Sequence, residues 1–219
     1  MTDGAHQGLF ISLEGGEGAG KSTQIKRLKQ WCEDTHPERD VIVTREPGGT
    51  EGAEAIRDLL VQGDTNKFTA KTDALLMLAS RVEHVERLLK PALSQGAIIL
   101  CDRFSDSSFV YQALSEGGFD EPSLRHLHQM AIDSFVPDIT YLFDLPPAVG
   151  LARAGARANQ SEARFESKGL AFHEAVRSGY LILAKEYPRI EVIDATQTED
   201  ELFAHLTASL ARHMSARGW

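Results

Sequence analysis

The stretch Gly15-Gly16-Glu17-Gly18-Ala19-Gly20-Lys21-Ser22 constrains this chain more than any other. It matches GxxxxGK(S/T) and lies between an apolar run, Leu9 to Leu13, and a segment of helical spacing, Lys21 to Trp31. A loop of this composition, opening a helix directly after a strand, is built to hold phosphate. Its glycines let backbone N–H groups turn inward around the oxygens, and the helix N-terminus adds its positive end. The lysine reaches the β- and γ-phosphates and the serine hydroxyl ligates Mg²⁺. The set expected at a nucleoside triphosphate is Gly15, Gly16, Glu17, Gly18, Ala19, Gly20, Lys21, Ser22 and Thr23.

The remaining pattern agrees with that loop. Val41 to Thr44, Ala97 to Cys101, Ile139 to Phe143 and Glu191 to Ile193 read as further strands. Between them, helical spacing recurs over Ala53 to Val61, Lys71 to Leu89, Ser123 to Phe135, Leu170 to Glu186 and Glu199 to Met214, and Pro146-Pro147 opens another helix. Strands alternating with helices, with near-continuous apolar strands, predict an α/β fold: a three-layer, P-loop NTPase-like architecture with a parallel sheet of about five strands covered by helices on both faces. With 219 residues and no internal repeat, residues 1–219 read as a single domain. The segment of about residues 150–168 breaks the texture, being rich in Ala, Arg, Gly and polar residues, and reads as a surface insert.

Composition narrows the function. A net charge of −9 argues against a broad nucleic-acid surface, so cationic side chains at an anionic site must be gathered locally. No stretch approaches the ~20 apolar residues of a membrane span. Cys32 and Cys101 form no CxxC, and Met1 to Gly8 lacks the pattern of a signal peptide, so a cytoplasmic protein is expected. His126 and His128 are two apart, off a common helical face, and no HExxH occurs. Asp102 closes an apolar strand, which suits a second acid beside magnesium, and Arg103 follows at the strand edge where α/β sheets bind ligands. Asn66-Lys67-Phe68-Thr69 lacks the Asp of a guanine-reading NKxD element.

Several motifs then resemble one family together. Glu17 within the phosphate loop, Thr44-Arg45-Glu46-Pro47-Gly48-Gly49-Thr50, Ala79-Ser80-Arg81-Val82-Glu83, the run from Asp102-Arg103 to Tyr111-Gln112, and Ile193-Asp194-Ala195-Thr196-Gln197 stand in the order of the thymidylate kinases. The resemblance implies ATP- and Mg²⁺-dependent conversion of dTMP to dTDP, with ATP as donor, by a homodimer. It places dTMP on Glu17, Arg45, Glu46, Pro47, Arg57, Met77, Arg81, Arg103, Ser108, Tyr111 and Gln112, and the metal near Ser22 and Asp102. Catalytic roles fall to Lys21, Arg103, Arg153 and Arg164, the last two on a lid that also carries Arg157. Three departures stand out. Met77 replaces the family's usual aromatic ring, Gly18 and Ala19 stand where one branch has an arginine, and Ala163 stands where an Asp usually precedes Arg164. Two rivals remain open at this point: a kinase of UMP or CMP, and a nucleotide-gated switch with no small acceptor.

Overall fold

The structure, a computed structural model, describes residues 7–62, 67–114, 116–133, 135–155 and 169–219. Five parallel strands form one sheet in the order β2-β3-β1-β4-β5: β1 (Leu9–Gly15), β2 (Val41–Arg45), β3 (Ile98–Asp102), β4 (Ile139–Asp144) and β5 (Ile190–Asp194). β1 is buried throughout and lies between β3 and β4, with Leu13 paired to Asp102 on one side and to Tyr141 on the other. Its carboxyl end therefore opens at the middle of the sheet edge, where open α/β sheets bind ligands.

Two-residue alternation sorts the strand side chains to opposite faces. Leu9, Ile11 and Leu13 pack with Leu100, Ile139 and Tyr141 beneath α1 (Lys21–Thr35), through Ile25 and Leu28, and beneath the closing helix α9 (Glu199–Ala216), through Leu202, Leu206 and Leu210. Phe10 faces the other layer, packing with Ile99, Cys101 and Phe104 against Val85, Leu89 and Leu93. A third cluster joins Leu142 of β4 to Val110, Val176 and Tyr180. The later elements begin with α2 (Glu51–Val61), α5 (Ser105–Tyr111) and α6 (Glu121–Ile132). They continue with α7 (Pro147–Gly155) and α8 (Leu170–Glu186).

Two elements differ from the expected pattern. The single helix expected over Lys71 to Leu89 is α3 (Ala70–His84), which continues through a π-helical turn (Val85–Leu89) into α4 (Lys90–Ser94). A widened turn of this kind often accompanies a functional position, and this one directly follows Arg81 and His84. Helix α5 has only seven residues, beginning Ser-Asp-Ser-Ser, and no amphipathic period announces it. Its Ser105, Asp106, Ser108 and Tyr111 are nonetheless buried, because the helix packs between α6 and α8 and its side chains reach Glu14 and Thr140 of the sheet.

Candidate active site

The phosphate loop leaves β1 and enters α1 through Gly20, which has φ 92°. The Lys21 ammonium folds back over the loop and donates to the carbonyl oxygens of Gly15 (3.2 Å) and Gly16 (3.1 Å). On the far side the loop lies against α7. A Cβ on Gly18 (φ +67°) would sit 2.1 Å from the Gly150 carbonyl oxygen, and a Cβ on Gly150 would sit 2.3 Å from that of Glu17. So close an approach requires glycine on both sides.

Asp102 ends β3 next to this loop. Its Oδ2 accepts from Ser22 Oγ at 3.3 Å, and its Oδ1 is buried with no hydrogen-bond partner among the described residues. Arg103 follows with φ 68°, a left-handed conformation uncommon for a residue with a side chain. Its guanidinium swings beneath the loop. Nη1 donates to the Gly15 carbonyl at 3.0 Å, and Nη2 donates to Glu17 Oε1 at 2.9 Å. The carboxylate inside the phosphate loop is thus matched by an arginine from the neighbouring strand end.

Behind Arg103 lies Glu14, fully buried on the same face of β1 as Phe10 and Ser12. It accepts from the Phe104 backbone N–H (2.7 Å), from Ser107 Oγ (2.7 Å) and from the Tyr180 hydroxyl (2.8 Å). Ser107 and Tyr180 in turn accept from Arg103 Nη1. Burial, and next the charge of Asp106, push the Glu14 carboxyl up to about 7, against the opposing influence of Arg103 and of the donated hydrogen bonds. Arg189 grips both Asp106 oxygens, at 2.6 and 2.8 Å.

The other half of the site is built where the chain leaves β2. The Glu46–Pro47 peptide is cis, and Glu46 is buried. Its carboxylate accepts from Arg81 Nε at 2.6 Å and meets His84 Nδ1 at 3.0 Å, while His84 Nε2 meets Thr44 Oγ1 at 2.8 Å. Gly49 closes over this group: a Cβ there would come within 2.4 Å of Thr44 Oγ1. Arg81 Nη1 donates to Ser108 Oγ at 2.9 Å and also meets His128 Nε2. Arg57 Nη1 donates to the Pro47 carbonyl at 2.8 Å, and the half-exposed Arg45 reaches both oxygens of Glu54 at 3.0 Å.

One cleft joins the two halves. It is lined by Glu17 to Thr23, by Arg45, Glu46, Pro47 and Arg57, by Met77 and Arg81, and by Asp102, Arg103, Ser108, Tyr111 and Gln112. Gly15 and Gly16 instead border a smaller cavity between the loop, β4, α7 and α8. Arg153 is exposed and does not line the cleft; its Nη1 donates to the Ala195 carbonyl at 3.2 Å. Arg157 and Arg164 lie outside the described residues. Among the described residues no group of three or more His, Cys, Asp or Glu is placed to hold a metal, and no helix is long and apolar enough to cross a membrane.

Sequence reasoning did not single out Glu14, Thr44, His84, Ser107 or Tyr180 as parts of the site, and it weighed His128 only as a metal ligand. One signal was present. Ser12 and Glu14 interrupt the face of β1 that carries Phe10, and polar residues on a buried central strand need partners. The histidines carry no such mark, since a helix bears single polar residues commonly.

A profile of the thymidylate kinase family matches residues 13–206. The chain is 50% identical to a thymidylate kinase of Caulobacter vibrioides over 204 residues, 92% of this chain and 95% of that protein. It is 45% identical to one of Dinoroseobacter shibae, over 93% of this chain and 96% of the relative. A crystal structure of thymidylate kinase from Ehrlichia chaffeensis superposes with a TM-score of 0.73 at 30% identity, covering 93% of this chain and 98% of that one.

Proposed function

The chain belongs to the thymidylate kinase family and transfers the γ-phosphoryl group of ATP to dTMP, giving dTDP and ADP, and on that premise we propose how its residues divide the task. The observation that carries the assignment is that Lys21, Ser22, Asp102 and Arg103 line the same cleft as Arg81, Glu46 and Ser108. The first group receives the ATP phosphates. The second receives the thymine base, and Arg45 and Arg57, which line the same cleft, are assigned to the acceptor phosphate.

An oxygen of the dTMP phosphate attacks the γ-phosphorus, the new P–O bond forms in line, and the bond to the β-phosphate oxygen breaks to release ADP. That attacking group is mostly dianionic at pH 7, since its second pKa is about 6, so no general base is needed. The obstacle is the approach of two polyanions. Lys21 exchanges its loop carbonyls for phosphate oxygens. Arg103, held by Glu17, Ser107 and Tyr180, is assigned to the point where the two phosphates meet.

Ser22 and Asp102 fit a magnesium ion. Their oxygens lie 3.3 Å apart, and the buried, unpartnered Asp102 Oδ1 is a hard oxygen donor of the type this cation takes. When bound, the ion neutralises charge on the β- and γ-phosphate oxygens. Arg153 and Arg164 remain proposed lid residues within a single domain of residues 1–219, and the same reading makes the enzyme a cytoplasmic homodimer.

A coupled assay of ADP release with and without dTMP tests the proposal. ADP release is expected to depend on dTMP. Without its 5-methyl group, worth about 1–3 kcal/mol, dUMP should be a poorer but detectable acceptor. Slow ATP hydrolysis indifferent to dTMP would overturn the assignment.

A further inference from the structure

His128 lies on α6, four residues after Leu124, and is buried against the Phe109 ring, with ring centroids 4.8 Å apart. Its Nδ1 is 2.8 Å from the Leu124 carbonyl oxygen. A carbonyl only accepts, so Nδ1 carries the proton. The neutral ring then offers Nε2 as an acceptor, and Arg81 Nη1 is the donor that meets it. Burial, followed by the neighbouring Arg81 charge, pushes the imidazole pKa down to about 4, so this form persists at any neutral working pH.

Arg81 is therefore held at two of its three nitrogens. Nε is fixed by Glu46 at 2.6 Å, and Nη1 by Ser108 at 2.9 Å and by His128. Nη2 has no partner among the described residues, and Arg81 lines the cleft. Glu46 already balances the guanidinium charge, so Nη2 suits a neutral carbonyl better than a phosphate.

We propose that His128 is a positioning residue for recognition of the acceptor base: by accepting from Arg81 Nη1, it fixes the guanidinium plane so that Nη2 faces a ring carbonyl of the bound pyrimidine. This rests on the assignment of Arg81 to the base end of the cleft. A guanidinium fixed in advance loses less freedom when the base arrives, and loss of one such hydrogen bond loosens it.

Steady-state kinetics with dTMP, dCMP and ATP test the inference on the full chain. His128→Phe keeps a ring against Phe109 but removes both hydrogen bonds. His128→Gln carries an oxygen that reaches the place of Nε2. His128→Phe is expected to raise KM for dTMP roughly five- to tenfold, to leave KM for ATP within about twofold, and to lower the preference for dTMP over dCMP by the same factor as the dTMP KM rises. His128→Gln is expected to restore most of the loss. If His128→Phe does not fold, His128→Asn replaces it, since the amide keeps the donor to Leu124 but falls short of Arg81.

An unchanged KM for dTMP overturns the inference. So do equal losses in His128→Phe and His128→Gln, or parallel rises in both substrate KM values, since these mark a ring that only packs. Arg81→Met separates the two levels. If it leaves KM for dTMP unchanged, the assignment of Arg81 to the base fails and takes this inference with it. If Arg81→Met is impaired while His128→Phe is not, only the inference fails.

Discussion

The two ends of the cleft hold their charge differently. At the phosphate loop, Lys21 rests on the carbonyl oxygens of Gly15 and Gly16, contacts that phosphate oxygens can replace without stranding a buried charge. At the other end, Arg81 is locked to Glu46, and Glu46 to His84, among side chains that are all buried. The first arrangement leaves cationic charge ready to move onto a polyanion. The second cancels its charge internally and keeps only a shape and a hydrogen-bond direction. One end is thus suited to neutralising a phosphoryl group that changes partners, the other to reading an uncharged base. Arg103 stands between the two, cationic and paired to Glu17, yet braced from behind by Glu14.

Four measurements bear on that contrast. Lys21→Ala is expected to lower turnover at least about a thousandfold while the chain stays folded, because it removes mobile charge from the reacting end; near-normal turnover would erase the distinction. Glu46→Leu is expected to lower unfolding free energy by about 3–5 kcal/mol, because it leaves the Arg81 charge buried without its partner. Urea titration reads this, and a loss no larger than that of an exposed pair would show that the base end is not locked.

Glu14 gives a pH signature. Its carboxyl is raised from 4.5 to about 7 in the folded chain, so between those values the folded state holds a proton that the unfolded chain has released. Its contribution to stability is full below pH 4.5, falls as the pH rises, and is lost above about 7, a change of at most about 3 kcal/mol. Glu14→Gln should flatten that part of the stability–pH profile, and an unaltered slope in denaturation series at pH 5 and pH 7.5 would contradict it. The smallest effect is expected from Met77→Phe. Replacing a thioether with a ring beside the base should lower KM for dTMP about two- to fivefold, on the order of 0.5–1 kcal/mol of added stacking. An equal change in KM for ATP would place Met77 elsewhere.

The reach of the sequence was uneven for physical reasons. The five strands and the phosphate loop were legible because apolar runs and GxxxxGK(S/T) are local patterns. Helix α5 was not, since its Asp106, Ser107 and Ser108 find their partners on Arg189, Glu14 and Arg81, far away in sequence, rather than along the helix. The motifs pointed to Arg81 and Glu46, but nothing in their spacing said that the two side chains are bound to each other. Met77 was recognisable as a substitution, and the structure places it on the cleft wall. Arg153 was expected at the phosphates. In this structure it donates to the Ala195 carbonyl, a contact 42 residues away along the chain that no local pattern reports, and its place on the lid stays a proposal.

By itself the sequence determined that this chain forms a parallel α/β sheet with a phosphate-binding turn at the end of its first strand, because backbone periodicity and glycine spacing act over a few residues. The tertiary structure alone decided which charges are cancelled and which stay available. Pairing of Arg81 with Glu46, of Arg103 with Glu17, and of a neutral His128 with Arg81 depends on side chains that are 35, 86 and 47 positions apart, brought together only when helices and strand ends pack into the fold.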